Sequence, residues 1–516
     1  MTRADDIADP THVHGPKLAL VVVVLALANF LAILDITIVN VLVPQIAGGL
    51  AVSSADGTWV ITSYAVAEAI MVPLTGWLAE RFGPVKVFVL GIAGFGVMSV
   101  ACGLATSLPM LIVFRIMLGI CGGPLIPLSQ TLLLTVVPKK YEVPALAVWS
   151  MTTILAPIAG PALGGVIADQ WSWPWAFHFK LPLAIPLAML AWYVLRDHEM
   201  PTRKARVDFV GLGLLVLWVG ALQIMLGNGQ NLDWFNNTFI VALLIVTVLG
   251  FICFVIWELT DPAPIVDLRI FTNRAFSVSM FVIALAYGAM FGAVVLVPLW
   301  LQNIMGYTAT LAGYNTAFAG IFSVLLAPVV TKLMTKVDHR LLVMVGLLLC
   351  AASSLVRIFY SLDVTFEQTL WPQVAQGLSF PLIMIPLMDM SVSSLPVKDV
   401  ASGAGQFNFI RTLSGAIATA LVVAVWENAI KMNKAVLAGT VQHGQDLLTT
   451  LQAGGFTAEK ARSLFDMAVL QQAAQLGTNQ TFLAVGIVLL ITAAAVWLAP
   501  KPPRHANGNG KPPMGH

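Results

Sequence analysis

The feature that most restricts this chain is a repetition. Blocks of about 20 apolar residues follow one another from Leu18 almost to the end, and a block of that length crosses the hydrocarbon core of a bilayer as a helix, whereas a barrel strand needs only about 9–11 residues. We count fourteen spans, beginning near residues 18, 58, 86, 109, 144, 176, 208, 237, 275, 311, 341, 370, 401 and 479. The composition agrees: of 516 residues 58% are hydrophobic and 10% charged, where a soluble domain carries about 25% charged residues. The expected fold is an all-α integral membrane protein, and the first block, preceded by the mixed segment Met1 to Lys17, reads as a retained span rather than a cleaved signal.

The basic residues orient it. Nineteen of the 27 Lys and Arg lie in the N-terminal segment, in the short connections after even-numbered spans, and in the tail; the short connections after spans 1, 3, 5, 7, 9 and 11 hold none. By the positive-inside rule both termini face the cytoplasm. Polar, Pro-containing stretches after the sixth and eighth spans divide the chain into residues 1–200, a six-helix bundle; 201–262, two inserted helices; and 263–516, a second six-helix bundle. The last unit carries a long external connection, about 427–478, expected to form one or two amphipathic helices, and a Pro/Gly-rich tail expected to be disordered. Cys102, Cys121, Cys253 and Cys350 are scattered singly in apolar segments, which suits neither disulfides nor a metal site.

Against this background a carboxylate inside a span stands out. Asp35 follows a run from Leu18 to Leu34 whose only strongly polar member is Asn29. An acid in hydrocarbon is expensive when ionised, so it needs a cationic neighbour or a proton, and trading one for the other makes a proton switch. Arg115, well inside span 4, is the natural partner, since a guanidinium there costs on the order of 2.5–3.5 kcal/mol unless it is paired or wet. Gly119, Gly122 and Gly123 follow it at helical steps and admit a neighbouring backbone. In span 5, Ala156, Gly160, Gly164 and Ala168 form one stripe of small residues, with Pro157, Pro161 and Gly165 beside it; such a face packs tightly or gates. Between spans 2 and 3, Gly76, Glu80, Arg81, Gly83 and Lys86 mark a charged turn in which Glu80 is expected to pair with Arg81 or Lys86 and hold the cytoplasmic side closed. Glu68, Asp389 and Arg411 are candidate linings of a central cavity, the acids suiting a cationic ligand. Lys180, among Trp171, Trp173 and Trp175, is expected to snorkel to the external surface. The sequence shows no phosphate-binding loop, metal-ligand cluster or nucleophile elbow, which leaves no basis for nucleotide-driven pumping.

Six stretches, "LDITIVNVLVP", "GTWVITSYAVAEAIMVPLTGWLAERFG", "FRIMLGICGGPLIPLSQTLLL", "WSMTTILAPIAGPALGGVI", "LQIMLGNGQNLDWF" and "WELTDPAPIVDLRIF", together resemble the EmrB type of fourteen-helix drug:proton antiporter in the major facilitator superfamily. The likeness runs from about residue 20 to 500. It implies two six-helix bundles around a central cavity, export of hydrophobic or amphipathic toxic compounds driven by the proton gradient without a cofactor, and residence in the bacterial inner membrane. It also implies partners: an EmrA-like membrane-fusion adaptor and a TolC-like outer-membrane channel. By the same resemblance Asp35 takes the acidic position of the first-helix motif, and Gly76, Glu80, Arg81, Gly83 and Lys86 the loop 2–3 motif, with Glu80 where Asp is common. Arg115 and Gly119 take the span 4 motif, with Leu118 where Gln is usual. Gly160, Pro161, Gly164 and Gly165 take the antiporter motif, with Ala156 in place of a Gly. Glu68 and Asp389 match no family motif. The alternatives are an importer or uniporter on the same fold, or a polytopic enzyme acting on lipid-linked substrates; the latter lacks the cluster of acids, His or metal ligands it would need at one membrane face. The orientation is open to a direct check: a fluorescent protein fused after His516 is expected to fluoresce, and a periplasmically active reporter there to be silent.

Overall fold

The computed structural model describes residues 13, 15–200, 202, 208–229, 232–262, 264–396, 400–440 and 457–500. The expected disordered tail, and part of the linker after span 6, lie outside the described residues. Among those residues every regular element is a helix. The first six spans are Pro16–Gly49, Trp59–Phe82, Pro84–Gly103, a broken span 4 made of Leu108–Gly122 and Leu125–Val136, Lys139–Gln170, and Leu181–Leu195. Phe209–Asn228 and Thr238–Thr260 follow as spans 7 and 8, then Arg274–Asn303, Ala309–Met334, His339–Val356, Phe366–Val392, Val400–Thr440 and Ala458–Ala495 as spans 9 to 14.

Local chemistry sets the helix ends. Pro16 and Pro84 open spans 1 and 3 at positions where a missing N–H is harmless. Asn237, Asn273 and Asp338 accept backbone N–H bonds at the starts of spans 8, 9 and 11, and Thr365 with Gln368 forms a capping box on span 12. Thirteen of these helices are long and apolar enough to cross a membrane. Span 5, Lys139–Gln170, packs closely against span 1.

One expectation is corrected. The long connection between spans 13 and 14 contains no separate amphipathic helices among the described residues. Span 13 runs on to Thr440, and span 14 starts at Ala458, where Thr457 caps it, not near residue 479. No Gly or Pro occurs between Ala416 and Ala438 or between Ala458 and Leu476, so nothing stops either helix where the hydrophobic run ends. The extensions grip each other: Trp426 Nε1 donates to Thr478 Oγ1 at 2.8 Å, and Asn433 Nδ2 to Gln480 Oε1 at 3.0 Å.

The first six spans meet the last six at the end of the molecule where span 2 finishes and span 13 begins, the end that also carries the first residues of span 1. A Cβ on Gly76 would stand 3.5 Å from Ser402 Cα. Asn408 Nδ2 donates to Gln130 Oε1 at 2.5 Å, and Gln130 Nε2 lies 2.8 Å from Met388 Sδ. Met151 packs into the cluster of Leu382 and Ile385. That end is therefore closed. Spans 7 and 8 pack on each other and lean on span 2 and span 13.

Spans 2 and 4 approach each other closely at Gly119. A Cβ on Gly119 would lie 2.8 Å from both Tyr64 O and Ala67 Cβ, with backbone on one side that cannot yield. Gly119→Leu is expected to destabilise the protein by roughly 1–3 kcal/mol or more through overpacking, read as a lowered unfolding temperature in detergent, while a change at lipid-facing Leu90 leaves it unmoved.

Candidate functional site

Asp35 has no contact with solvent, and neither do its partners in any significant degree: Asp35 and Lys180 are 0% exposed and Arg115 is 1% exposed. Arg115 Nη1 donates to Asp35 Oδ2 at 2.5 Å, its Nε donates to the Val60 carbonyl at 2.9 Å, and its guanidinium lies 4.4 Å from the centre of the Tyr64 ring. Lys180 Nζ bonds the other carboxylate oxygen, Oδ1. Asp35 thus joins spans 1, 4 and 6. The expectation that Lys180 snorkels outward is overturned: it sits at the cap of span 6, inside a tight turn from Trp171 to Phe179, and the nearest counter-charge lies inward. Two rings of that turn, Phe177 and Phe179, lie 4.9 and 5.8 Å from its ammonium. Leu118, where the family has Gln, is buried, and the Val60 carbonyl supplies a bond to Arg115 from span 2.

Depth follows from helix rise. Arg115 is seven residues from the start of span 4, about 10 Å below the face opposite the closed end. Glu68, nine residues into span 2, lies about 14 Å below it, 4% exposed and within electrostatic reach of Asp35, Arg115 and Arg411. Among the described residues, the buried charges of the first six spans are Asp35, Glu68, Arg115 and Lys180, which balance only if Glu68 is counted with the cluster. Arg411 is 6% exposed, its guanidinium 5.6 Å from the Tyr287 ring, and its Nε has no partner among the described residues. It lines a narrow central cavity of about 10 Å³ with Trp149, Thr153, Met384, Met388 and Phe407, from spans 5, 12 and 13.

Other expected residues fall elsewhere. Asp389 does not line the central cavity: it pairs with His339 Nε2 at 3.2 Å where span 12 ends and span 11 begins, at the closed end. The Glu80 latch is also corrected, because Glu80 is exposed and makes no ion pair with Arg81 or Lys86 among the described residues. Arg81 stacks on Trp77 and Phe82, and Lys86 is exposed. The turn is held instead by Glu199, from the connection after span 6, whose two oxygens accept from the backbone N–H groups of Val85 and Lys86 at 3.1 Å. Gly83, at φ +93°, supplies the turn conformation that an L side chain resists. A carboxylate at a helix start satisfies orphan donors, which is what Glu199 does for span 3. In span 5, Gly160 has no room for a Cβ against Thr37, Gly164 is buried, and Thr37 Oγ1 bonds the Ala156 carbonyl at 3.2 Å, so this stripe packs on span 1. The side chains of Pro161 and Gly165 lie outside the described residues.

Two sets of long helices, closed against each other at one end and holding a buried acid between two cations, define a secondary membrane transporter rather than an enzyme. Residues 25–419 match the family model described as "Major Facilitator Superfamily". The chain is 41% identical to "Multidrug export protein EmrB" of Escherichia coli (strain K12) over 502 residues, 96% of this chain and 98% of that protein. It is 38% identical to "Fatty acid resistance protein FarB" of Neisseria gonorrhoeae, covering 96% and 98%. Among solved structures it resembles the human organic anion transporter MFSD10 (TM-score 0.57, 13% identity, 92% of this chain and 100% of that one) and an inward-facing bacterial homologue of the human lysosomal transporter Spinster (0.54, 16%, 94% and 98%). The chain belongs to the major facilitator superfamily, to its EmrB type, and is a multi-pass protein of the inner membrane.

The cluster orders the effects of substitution. Asp35→Asn strands two buried cations, a loss of about 3–5 kcal/mol for a broken buried pair; Lys180→Met leaves the Asp35–Arg115 pair intact and is expected to lower the unfolding temperature least. The double variant is expected to fall between them.

Proposed function

We propose that the protein is a proton-coupled exporter of hydrophobic and amphipathic toxic compounds, with both termini and the closed end on the cytoplasmic side. The names of its relatives, multidrug export and fatty acid resistance, fit that substrate class. The observation that carries the reading is Asp35 held between Arg115 and Lys180 in a dry pocket, about 10 Å below the periplasmic face in this orientation. A proton arriving from that face neutralises the carboxylate, and two cations lose the charge that held them together. Spans 4 and 6 are then free to part from span 1, and the two bundles rock. Each proton moving inward down 100 mV supplies about 2.3 kcal/mol. Glu68 and Arg411, near mid-membrane, form the polar part of the substrate path. The tight seam of spans 1 and 5 is the hinge against which it opens.

The helical extensions of spans 13 and 14 project on the side away from the termini and expose Met432, Leu464, Met467 and Leu470. In this reading they meet the membrane-fusion adaptor that links the inner membrane to an outer-membrane channel.

In proteoliposomes with an imposed pH gradient, Asp35→Asn and Lys180→Met are each expected to cut substrate-coupled proton flux at least tenfold at equal amounts of folded, inserted protein. Wild-type flux in both variants would sink the coupling role, and proton-independent or inward substrate movement in the wild type would favour the uniporter or importer.

A further inference from the structure

A second opening is larger than the central one. A cavity of about 260 Å³ lies between span 7, span 8 and span 13, beside Pro73 of span 2. Trp218, Phe251, Phe254, Phe271, Phe409 and Leu413 make most of its wall, which presents no polar atom. Its residues come from the half of the membrane nearest the closed end: Phe251 and Phe254 lie six to nine residues from the end of span 8, and Phe271 is in the connection that follows. Phe251 both lines the cavity and is 47% exposed on the outer surface, so the space borders the bilayer. Span 13 alone separates it from the central cavity: Phe409 and Leu413 face one, Phe407 and Arg411 the other.

An empty apolar space of this size inside a packed helix bundle loses dispersion contacts, and water gains nothing there without polar partners. A hydrocarbon chain coming from the leaflet leaves one apolar medium for another, and restores the dispersion contacts that the empty walls lack. At ~30 Å³ for a group the size of water, the space holds about nine such groups, part of one chain and not the two chains of a phospholipid. Behind that wall two lining side chains hold buried polar atoms with no partner among the described residues, the donor Trp218 Nε1 and the acceptor Gln406 Oε1. Modest side-chain rotation would give a hydroxyl or protonated carboxyl head one bond of each kind. We propose that this cavity is an access site that takes the chain of a single-chain amphiphile of the fatty-acid kind from the adjacent leaflet, one helix away from the central path. The leaflet is the cytoplasmic one if the orientation proposed above holds, but binding does not depend on it or on proton coupling.

The test is photolabelling of the purified protein in phosphatidylcholine nanodiscs with a palmitic acid carrying a diazirine on its chain, followed by peptide mapping. Label is expected on the segments around Phe251–Val255 and Phe409–Leu413, reduced at least fivefold by excess unlabelled palmitate although phospholipid is present throughout. Leu413→Trp and, from the facing helix, Val255→Phe fill the space and are each expected to cut labelling at least fivefold in protein that elutes as a folded monodisperse species. Asp35→Asn is expected to label like the wild type, which separates this site from the coupling reading. Label elsewhere, label that palmitate does not displace because bilayer lipid holds the site, or undiminished label in both filled variants overturns the proposal.

Discussion

One carboxylate holds three helices of this protein together. Asp35 gives one oxygen to Arg115 and the other to Lys180, and each of those cations would be an uncompensated charge in hydrocarbon without it. Such a cluster is a poor source of stability, since apolar side chains of similar volume would do as well or better. In the cycle proposed above it is a device whose strength depends on a proton. The surrounding construction serves to keep it dry: the Trp171–Phe179 turn roofs Lys180, Tyr64 and Phe177 face the two cations, and Gly119 lets span 2 close on span 4 so that the Val60 carbonyl reaches Arg115.

How much of this was legible in the residues depends on the range of the interaction. Span count and the importance of Asp35 and Arg115 follow from hydropathy and from the cost of a charge in lipid, both local properties. Lys180 was misplaced because three tryptophans beside a lysine look like an interfacial belt, and only the fold of the turn shows the ammonium pointing inward. Asp389 reads from sequence as a cavity acid for a different reason: an acid in an apolar run is visible locally, but the imidazole of His339 at the neighbouring helix end is not. Glu199 could not have been found by motif, since it lies 113 residues from the N–H of Lys86 that it caps. A carboxylate just after a span, opposite a turn containing a positive-φ glycine, is the signal that was available.

The central path and the side cavity differ in what they ask of a ligand. The former is nearly shut and holds Arg411 with Glu68 close by; the latter is roomy and made of carbon. In the route we propose an amphiphile uses both, in that order, and the helix between them is the same one that seals the closed end through Ser402 and Asn408.

That helix, Val400–Thr440, is 41 residues without a proline, about 60 Å from end to end. A rod of that length is a lever: each degree of tilt about its Ser402 end carries the opposite tip through about 1 Å. Whatever is attached to the tip would sense the state of the gate mechanically, with no separate messenger.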